Sequence, residues 1–362
     1  MTAFLSGLRV LDLSQYLPGP FATAMLAGFG ADVVKVEPPA GDPLRHLDPE
    51  GKAGASPFYA LINAGKRVVC LDLKTDTGKS GLATLVAAAD VLLESYRPGV
   101  LDRLGFGEDR LKAINPRLVH CALSGFGQTG PLAQASGHDL GYVAATGTLS
   151  ACGTPERPVM PFPPMSDHAG AMQAVVAILG ALLARHADGQ GRFLDVSMME
   201  SLLLWQAPAM TAPLDRGQGI INGGAAFYQL YATSDGRFVS LSPLEPKFWA
   251  NFCTAIGRDD WLARHLDPMP QTALIEELSA LFASRPLAAW DDLLGDADCC
   301  YQAVLDYAEV IDHPHVRARG LVERHDTFVD VRLPVFIDGA APPGRPPLRE
   351  VDVGDVARDW GC

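Results

Sequence analysis

Short apolar runs alternate with helical patterns over the first third of the chain, and this alternation restricts the fold more than any other feature. Leu8–Leu13 reads as a strand, Pro18-Gly19-Pro20 breaks it, Phe21–Gly28 reads as a small-residue helix, and Asp32–Val36 as a second strand. A β-α-β unit thus closes within about 30 residues. The pattern continues with strands at Arg67–Leu71, Val91–Glu94 and Arg117–Ser124 and a helix at Gly78–Ala89. Parallel strands need crossovers, and the crossovers cover both faces, so the expected fold is α/β with a parallel sheet between helices.

At 362 residues the chain exceeds what one core usually fills. The expected division is a large domain over 1–206, a linker over 207–226 where Pro and Gly gather, a small α+β domain over 227–311, and a C-terminal segment, 312–362, returning to pack on the large domain. Within the large domain, a glycine-rich loop follows Ser124, and helices are expected at Asp139–Leu149 and from about His168 to His186, where Gly189 and Gly191 stop the chain. In the small domain, Tyr228–Thr233 and Arg237–Leu241 flank Ser234-Asp235-Gly236, a hairpin signal. Helical segments follow at Pro246–Ile256, Gln271–Ser284 and Ala288–Gly295, and a strand is expected at Arg332–Ile337.

Several function classes drop out. With 29 Lys+Arg against 42 Asp+Glu the net charge is −13, which argues against a nucleic-acid binder and leaves room for a small anionic ligand met by a few local cations. The stretch MTAFLSGLRVLDLS lacks the marks of a signal peptide, and the longest apolar run, Ala174–Ala184, falls short of the ~20 residues a membrane span needs. Seven cysteines without a C-x-x-C pair read as reduced thiols, so a soluble, cytoplasmic protein with no membrane partner is expected. The turn Ser14–Pro20 has no G-x-G-x-x-G, which argues against a nicotinamide cofactor, and no phosphate-binding P-loop occurs. Ser124 lacks the glycine two residues ahead that a nucleophile elbow requires and is read as a polar loop residue. His313-Pro314-His315 has no further ligand at a zinc spacing, so no metal is expected and Asp312 is read as the N-cap of a solvated helix.

Three acid–base candidates remain: His138 in Ser-Gly-His-Asp-Leu, Asp167 in Pro-Met-Ser-Asp-His, and Glu245 in Pro-Leu-Glu-Pro-Lys. Each precedes a helix, so the two carboxylates could simply be caps. Histidine is a poorer cap and calls for another reason. Met165, Met172 and Met198 could form an adaptable acyl surface, although methionines at helical spacing more often belong to a core.

The chain resembles the family III CoA-transferases, a superfamily that includes the α-methylacyl-CoA racemases. The segments that carry the resemblance are Gly7–Leu13, Pro18-Gly19-Pro20, Gly30–Glu37, Gly65–Arg67 with Leu71–Lys74, Arg97–Gly105, Asn115–Val119, Ser124–Pro131, Gly137-His138-Asp139 and His315–Leu321. It implies a Rossmann-like large domain, a small domain, and an interlocked homodimer whose protomers thread each other. It further implies an acyl-CoA thioester as the ligand, with coenzyme A part of the substrate and no tightly bound cofactor. The CoA-lining positions it implies are Leu17, Leu71, Asp72, Lys74, Tyr96, Arg97, Arg103, Gly137 and Asp139. Many members carry Arg after the Val-x-Val-Glu strand; Pro38 stands there in this chain, and Arg45 is the nearby cation.

Both branches of the superfamily keep an aspartate where Asp167 stands. In transferases it is the nucleophile that forms an acyl anhydride; in racemases it is one of two groups flanking the α-carbon. Gly137-His138-Asp139 is similar to racemases, whereas transferases more often show Tyr at position 138. Leu244–Phe248 resembles the racemase segment whose carboxylate, here Glu245, hydrogen-bonds the histidine. Racemases usually follow the aspartate with Phe and several Gly, unlike Asp167-His168-Ala169-Gly170 here, and residues 139–142 lack their common Asn. Exchanging a proton α to a thioester requires a base on one face and an acid on the other, which His138/Glu245 and Asp167 could supply. A helix start could stabilise the enolate oxygen. The expected activity is therefore epimerisation at the α-carbon of a 2-methylacyl-CoA, with CoA transfer through an Asp167 anhydride as the alternative. A non-turnover CoA-thioester-binding protein is the third reading, favoured if Asp167 proves buried and blocked.

Overall fold

The apolar runs of the first third become the centre of one parallel sheet. The computed structural model describes residues 3–47, 56–213 and 215–362. Seven strands lie in the order Arg349–Glu350, Arg67–Cys70, Asp32–Glu37, Arg9–Leu13, Val91–Glu94, Val119–Ser124, Arg192–Ser197. All neighbouring pairs are parallel. The central strands are covered on both faces, which is why they read as unbroken Val/Leu runs. Val10, Val33 and Val91 pack on one face with helices Pro18–Gly28 and Met165–Asp188. Leu11, Val34 and Leu92 pack on the other with helix Asp76–Ala88.

The chain divides into two units, one comprising 1–146, 163–205 and 313–362, the other 147–162 and 206–312. The second unit holds an antiparallel sheet of Tyr301–Ala303, Phe238–Leu241 and Gln229–Ala232. Helices Pro246–Ala255, Thr272–Phe282 and Leu287–Leu294 pack with it around Trp249, Trp261 and Trp290.

Several expectations need correction. Residues 207–226 are not a free linker: Ala225 and Ala226 are fully buried, and Gln271 holds the Ala226 N–H. Arg216 bonds the Leu149, Ser150 and Thr154 carbonyls, so segment 147–162 groups with the second unit and not the first. The expected helix Asp139–Leu149 breaks at Gly147, which takes φ +79° between Asp139–Ala145 and Thr148–Ala151. The strand Arg192–Ser197 carries no continuous apolar run, because it is a half-buried edge strand. Arg332–Ile337 is not a strand; Pro334 lacks the N–H a ladder needs, and the pairing falls at Val322–Arg324 with Val329–Val331. The N-cap of helix Pro314–Arg319 is His313, whose Nδ1 accepts from the His315 N–H, and not Asp312. Helix Met165–Asp188 is, by length and composition, apolar enough to cross a bilayer, although the run within it looked too short. It buries Ala171, Ala174, Val175 and Ile178 against the sheet.

The C-terminal segment joins the first unit through the edge strand Arg349–Glu350 beside Arg67–Val68. Val356 and Trp360 enter the core behind it, and Trp360 Nε1 donates to Asp32.

A buried ionic lattice fixes the turn after the first strand. Asp12 accepts from the Ser14 N–H (3.0 Å), the Thr23 hydroxyl (2.6 Å) and Lys66 Nζ (3.0 Å). Lys35 Nζ donates to the Ser14 carbonyl at 2.7 Å and pairs with Asp42 at 2.9 Å, both side chains fully buried. Burial alone would raise the Asp12 carboxyl, but Lys66 and Lys35 hold it well below the usual carboxylate range. Burial drives Lys66 down to about 8 against the pull of Asp12. Gly19 is required here, since a Cβ would stand 2.2 Å from the Ser14 side chain.

Candidate active site

The chain leaves Arg9–Leu13 toward one edge of the sheet and returns with Val91–Glu94 on its other side. Loops leaving the carboxyl ends of two such strands diverge and open a crevice, the usual ligand site of an open α/β sheet. A pocket of about 370 Å³ lies there, lined by Gln15–Pro18 from one loop and Ser95–Pro98 from the other. The loop after Val119–Ser124 adds Gly125, Phe126 and Gly137, and two helix starts add His138 and Asp167. That volume lies in the range of small-molecule sites.

His138 is the N-cap residue of helix Asp139–Ala145, with extended backbone and no side-chain cap bond. Its ring stands nearly perpendicular to that of Tyr16, centroids 6.2 Å apart. Asp167 is the third residue of helix Met165–Asp188, whose N-cap is Pro164, a residue without a capping side chain. Asp139 takes that role from the neighbouring helix: its Oδ1 accepts from the Ser166 N–H at 2.7 Å and the Asp167 N–H at 3.1 Å. Burial, and then the charge of Asp139, push the Asp167 carboxyl up to about 7. Both charges act on Tyr142, whose phenol is raised by burial first and the Asp167 charge next. The tyrosine ring fits because Gly125 and Gly137 lack side chains, a Cβ at either falling about 2.4–2.5 Å from it.

The residues expected to line CoA separate into groups. Leu17, Tyr96, Arg97 and Gly137 line this pocket together with His138 and Asp167. Asp139 does not, because its carboxylate is committed to the helix start at Ser166 and Asp167. Leu71 is 8% exposed and packs in the core. Asp72 accepts from the Lys74 N–H at 3.0 Å, while the Lys74 and Arg103 side chains are exposed on the same unit, outside the pocket lining. Arg45 does not stand free to replace the family arginine: it bonds Glu37 at 2.7 Å and Glu350 at 2.9 Å and lies over the Tyr59 ring. Glu245 belongs to the second unit, exposed at the N-cap of Pro246–Ala255. Of the three methionines, Met198 lines the pocket, while Met172 is exposed.

Two pocket residues escaped the sequence. Ser124 is not a loop residue but the buried last residue of Val119–Ser124, and its Oγ has no partner among the described residues. Tyr16 lies in the turn after the first strand, and its φ of +62° has no signal in the local sequence. No ligand chemistry follows from a turn until the partners that hold it are known.

The chain matches the family model CoA-transferase family III over residues 5–348. It is 34% identical over 332 residues to alpha-methylacyl-CoA racemase of Homo sapiens, covering 87% of this chain and 81% of that protein. It is also 33% identical over 362 residues to acetyl-CoA:oxalate CoA-transferase of Acetobacter aceti, covering 95% and 92%. Among solved structures, a CAIB/BAIF family protein from Brucella suis superposes with a TM-score of 0.85 at 28% identity, covering 99% of this chain and 100% of that one. A parallel sheet with its pocket at the switch point, an aspartate and a histidine in that pocket, and a match spanning nearly the whole chain agree, and the chain belongs to the CoA-transferase family III.

Proposed function

We propose that the pocket epimerises the α-carbon of an acyl-CoA thioester, with a 2-methylacyl group as the expected acyl class. The observation that carries this reading is the presence in one pocket of two proton-transfer groups, the His138 imidazole and the Asp167 carboxyl, the latter raised to about 7 by burial and the Asp139 charge. One group takes the α-proton, and the C–H electron pair becomes the enolate double bond while charge moves to the thioester oxygen. The other group returns a proton to the opposite face. Coenzyme A enters as part of the substrate, and Arg97 at the pocket edge supplies a local cation in an acidic chain.

Asp167 lines an open pocket and is only partly buried, which weighs against a non-turnover binding protein. CoA transfer is the second reading, favoured by the Acetobacter relative's activity. A carboxyl that burial and a like charge help to keep protonated suits proton return better than nucleophilic attack, which needs the ionised form. The Ser166 and Asp167 N–H groups of helix Met165–Asp188 already serve Asp139, so an enolate oxygen at those two would compete with a carboxylate.

Incubating the protein with each enantiomer of a 2-methylacyl-CoA in deuterated water tests the reading. Loss of the α-proton signal from both enantiomers is expected. An Asp167 acyl adduct trapped by hydroxylamine, with CoA passing between two acids and no α-exchange, would replace it with transfer.

The homodimer belongs to the same proposal. Helix Met165–Asp188 leaves Met172, Val176 and Leu183 at 47%, 63% and 75% exposure, an apolar stripe at helical spacing that a second copy would cover.

A further inference from the structure

Tyr16 carries the least comfortable backbone in the pocket. Its φ is +62°, a region that non-glycine residues seldom enter and that bulky side chains enter under strain. The surrounding turn explains how the strain persists. The Ser14 carbonyl accepts from buried Lys35, the Gln15 N–H donates to Ser95 Oγ at 3.1 Å, and the Tyr16 N–H points to Asp42 Oδ1 at 3.4 Å. Asp42 is itself tied to Lys35, so Ser14 and Tyr16 are both held by one fully buried ion pair, with Gln15 between them held by Ser95.

Core packing does not account for this arrangement, because the Tyr16 side chain is 46% exposed. What the forced turn achieves is the placement of the ring beside His138, at a centroid distance of 6.2 Å and an interplanar angle of 79°. That is an edge-to-face contact of the favoured kind. The imidazole lacks a side-chain cap bond that would otherwise orient it. Strained residues held by a rigid surround gather where geometry serves a function.

We propose that Tyr16 is a positioning residue for His138: its strained turn holds the aromatic ring edge-to-face with the imidazole and thereby fixes the plane in which His138 meets the substrate α-carbon. The inference rests on His138 as a proton-transfer group, as assigned above. The ring, and not the phenol hydroxyl, is the part that acts. Asn tolerates the left-handed backbone, so Tyr16→Asn removes the ring without demanding a new turn, while Tyr16→Phe keeps the ring and drops the hydroxyl.

The test uses the full chain, with His138 ring resonances assigned by comparison with His138→Ala. Tyr16→Phe, which keeps the ring in the pocket, should keep those resonances and recover most of the kcat that Tyr16→Asn loses. Tyr16→Asn should melt within a few degrees of the parent, shift or broaden the His138 resonances, and lower kcat roughly tenfold or more for the enantiomer that depends on His138. The fall in kcat should exceed any rise in KM, which the loss of a ring from the pocket lining can also produce. Unchanged His138 resonances and exchange in Tyr16→Asn would overturn the inference. So would a Tyr16→Phe defect equal to that of Tyr16→Asn, or a change confined to KM for acyl chains of different length, which would make Tyr16 a pocket wall. If the parent exchanges no α-proton at all, the functional reading fails, while the resonances still report whether Tyr16 orients His138.

Discussion

Asp139 and Asp167 are coupled twice: the Asp139 carboxylate accepts the Asp167 N–H at 3.1 Å, and its charge adds to burial in raising the Asp167 carboxyl to about 7. One side chain therefore starts the 165–188 helix and tunes the acid at its third residue. A helix start ordinarily favours an ionised carboxylate. Here the N–H groups that would do so serve Asp139, and Asp167 is left with burial and a like charge.

The first prediction follows from the sign of that shift. The Asp167 carboxyl ionises near 3.8 unfolded and near 7 folded, so the folded state retains a proton that the unfolded chain releases between them. The stability linked to this group is full below about 3.8 and is lost as pH rises through about 7. Asp167→Asn should match the parent in acid and exceed its stability above neutral pH by an amount on the order of a few kcal/mol at most. Urea melts across this pH range decide it, and equal pH profiles for the two proteins would count against the assigned shift.

Asp139→Ala should remove the acceptor for two helix N–H groups and cost about 1–2 kcal/mol, the range of lost N-caps. The same change should let the Asp167 carboxyl fall from about 7, though not to its ordinary value, because burial is the larger cause. Thermal melting measures the first effect, and the acid limb of the pH–rate profile the second.

Mutation of the proton-transfer pair should split the two enantiomers. His138→Ala is expected to slow exchange from one enantiomer by roughly a hundredfold or more, and Asp167→Ala from the other. Equal losses for both enantiomers in every variant would leave the two-base assignment without support.

Lys66→Met tests the ionic lattice beneath the pocket. Lys66 is fully buried and donates to Asp12, Asn63 and the Pro20 carbonyl, so its loss leaves a buried carboxylate short of a partner. A destabilisation of about 3–5 kcal/mol is expected, read as a lower urea midpoint with an unchanged slope.

Val176→Glu combined with Leu183→Glu places two charges on the exposed stripe of the 165–188 helix. If a second copy covers that stripe, sedimentation should show the parent at twice the 38.5 kDa chain mass and the variant shifted toward a monomer. A folded parent monomer at micromolar concentration would end the homodimer proposal.

Local chemistry made much of the architecture legible. Val and Leu runs too apolar for a half-exposed strand announced a sheet covered on both faces, and Gly189 marked the end of the long helix because its φ of +75° suits a residue without Cβ. The motif residues placed His138 and Asp167 at helix starts, where the structure has them. What neighbours across the fold decide was not legible. The sequence around Asp139 suits a ligand contact as well as a helix cap; the approach of Ser166 and Asp167, 27 and 28 residues away, selects the cap. Arg45 looked available until Glu350, 305 residues on, claimed it. Segment 207–226 looked loose because Pro and Gly mark turns whether or not those turns pack. A run of residues determines its own backbone preferences and its apolar faces. Which charge meets which, and how far a carboxyl is lifted, depend on distances that only the closed chain sets.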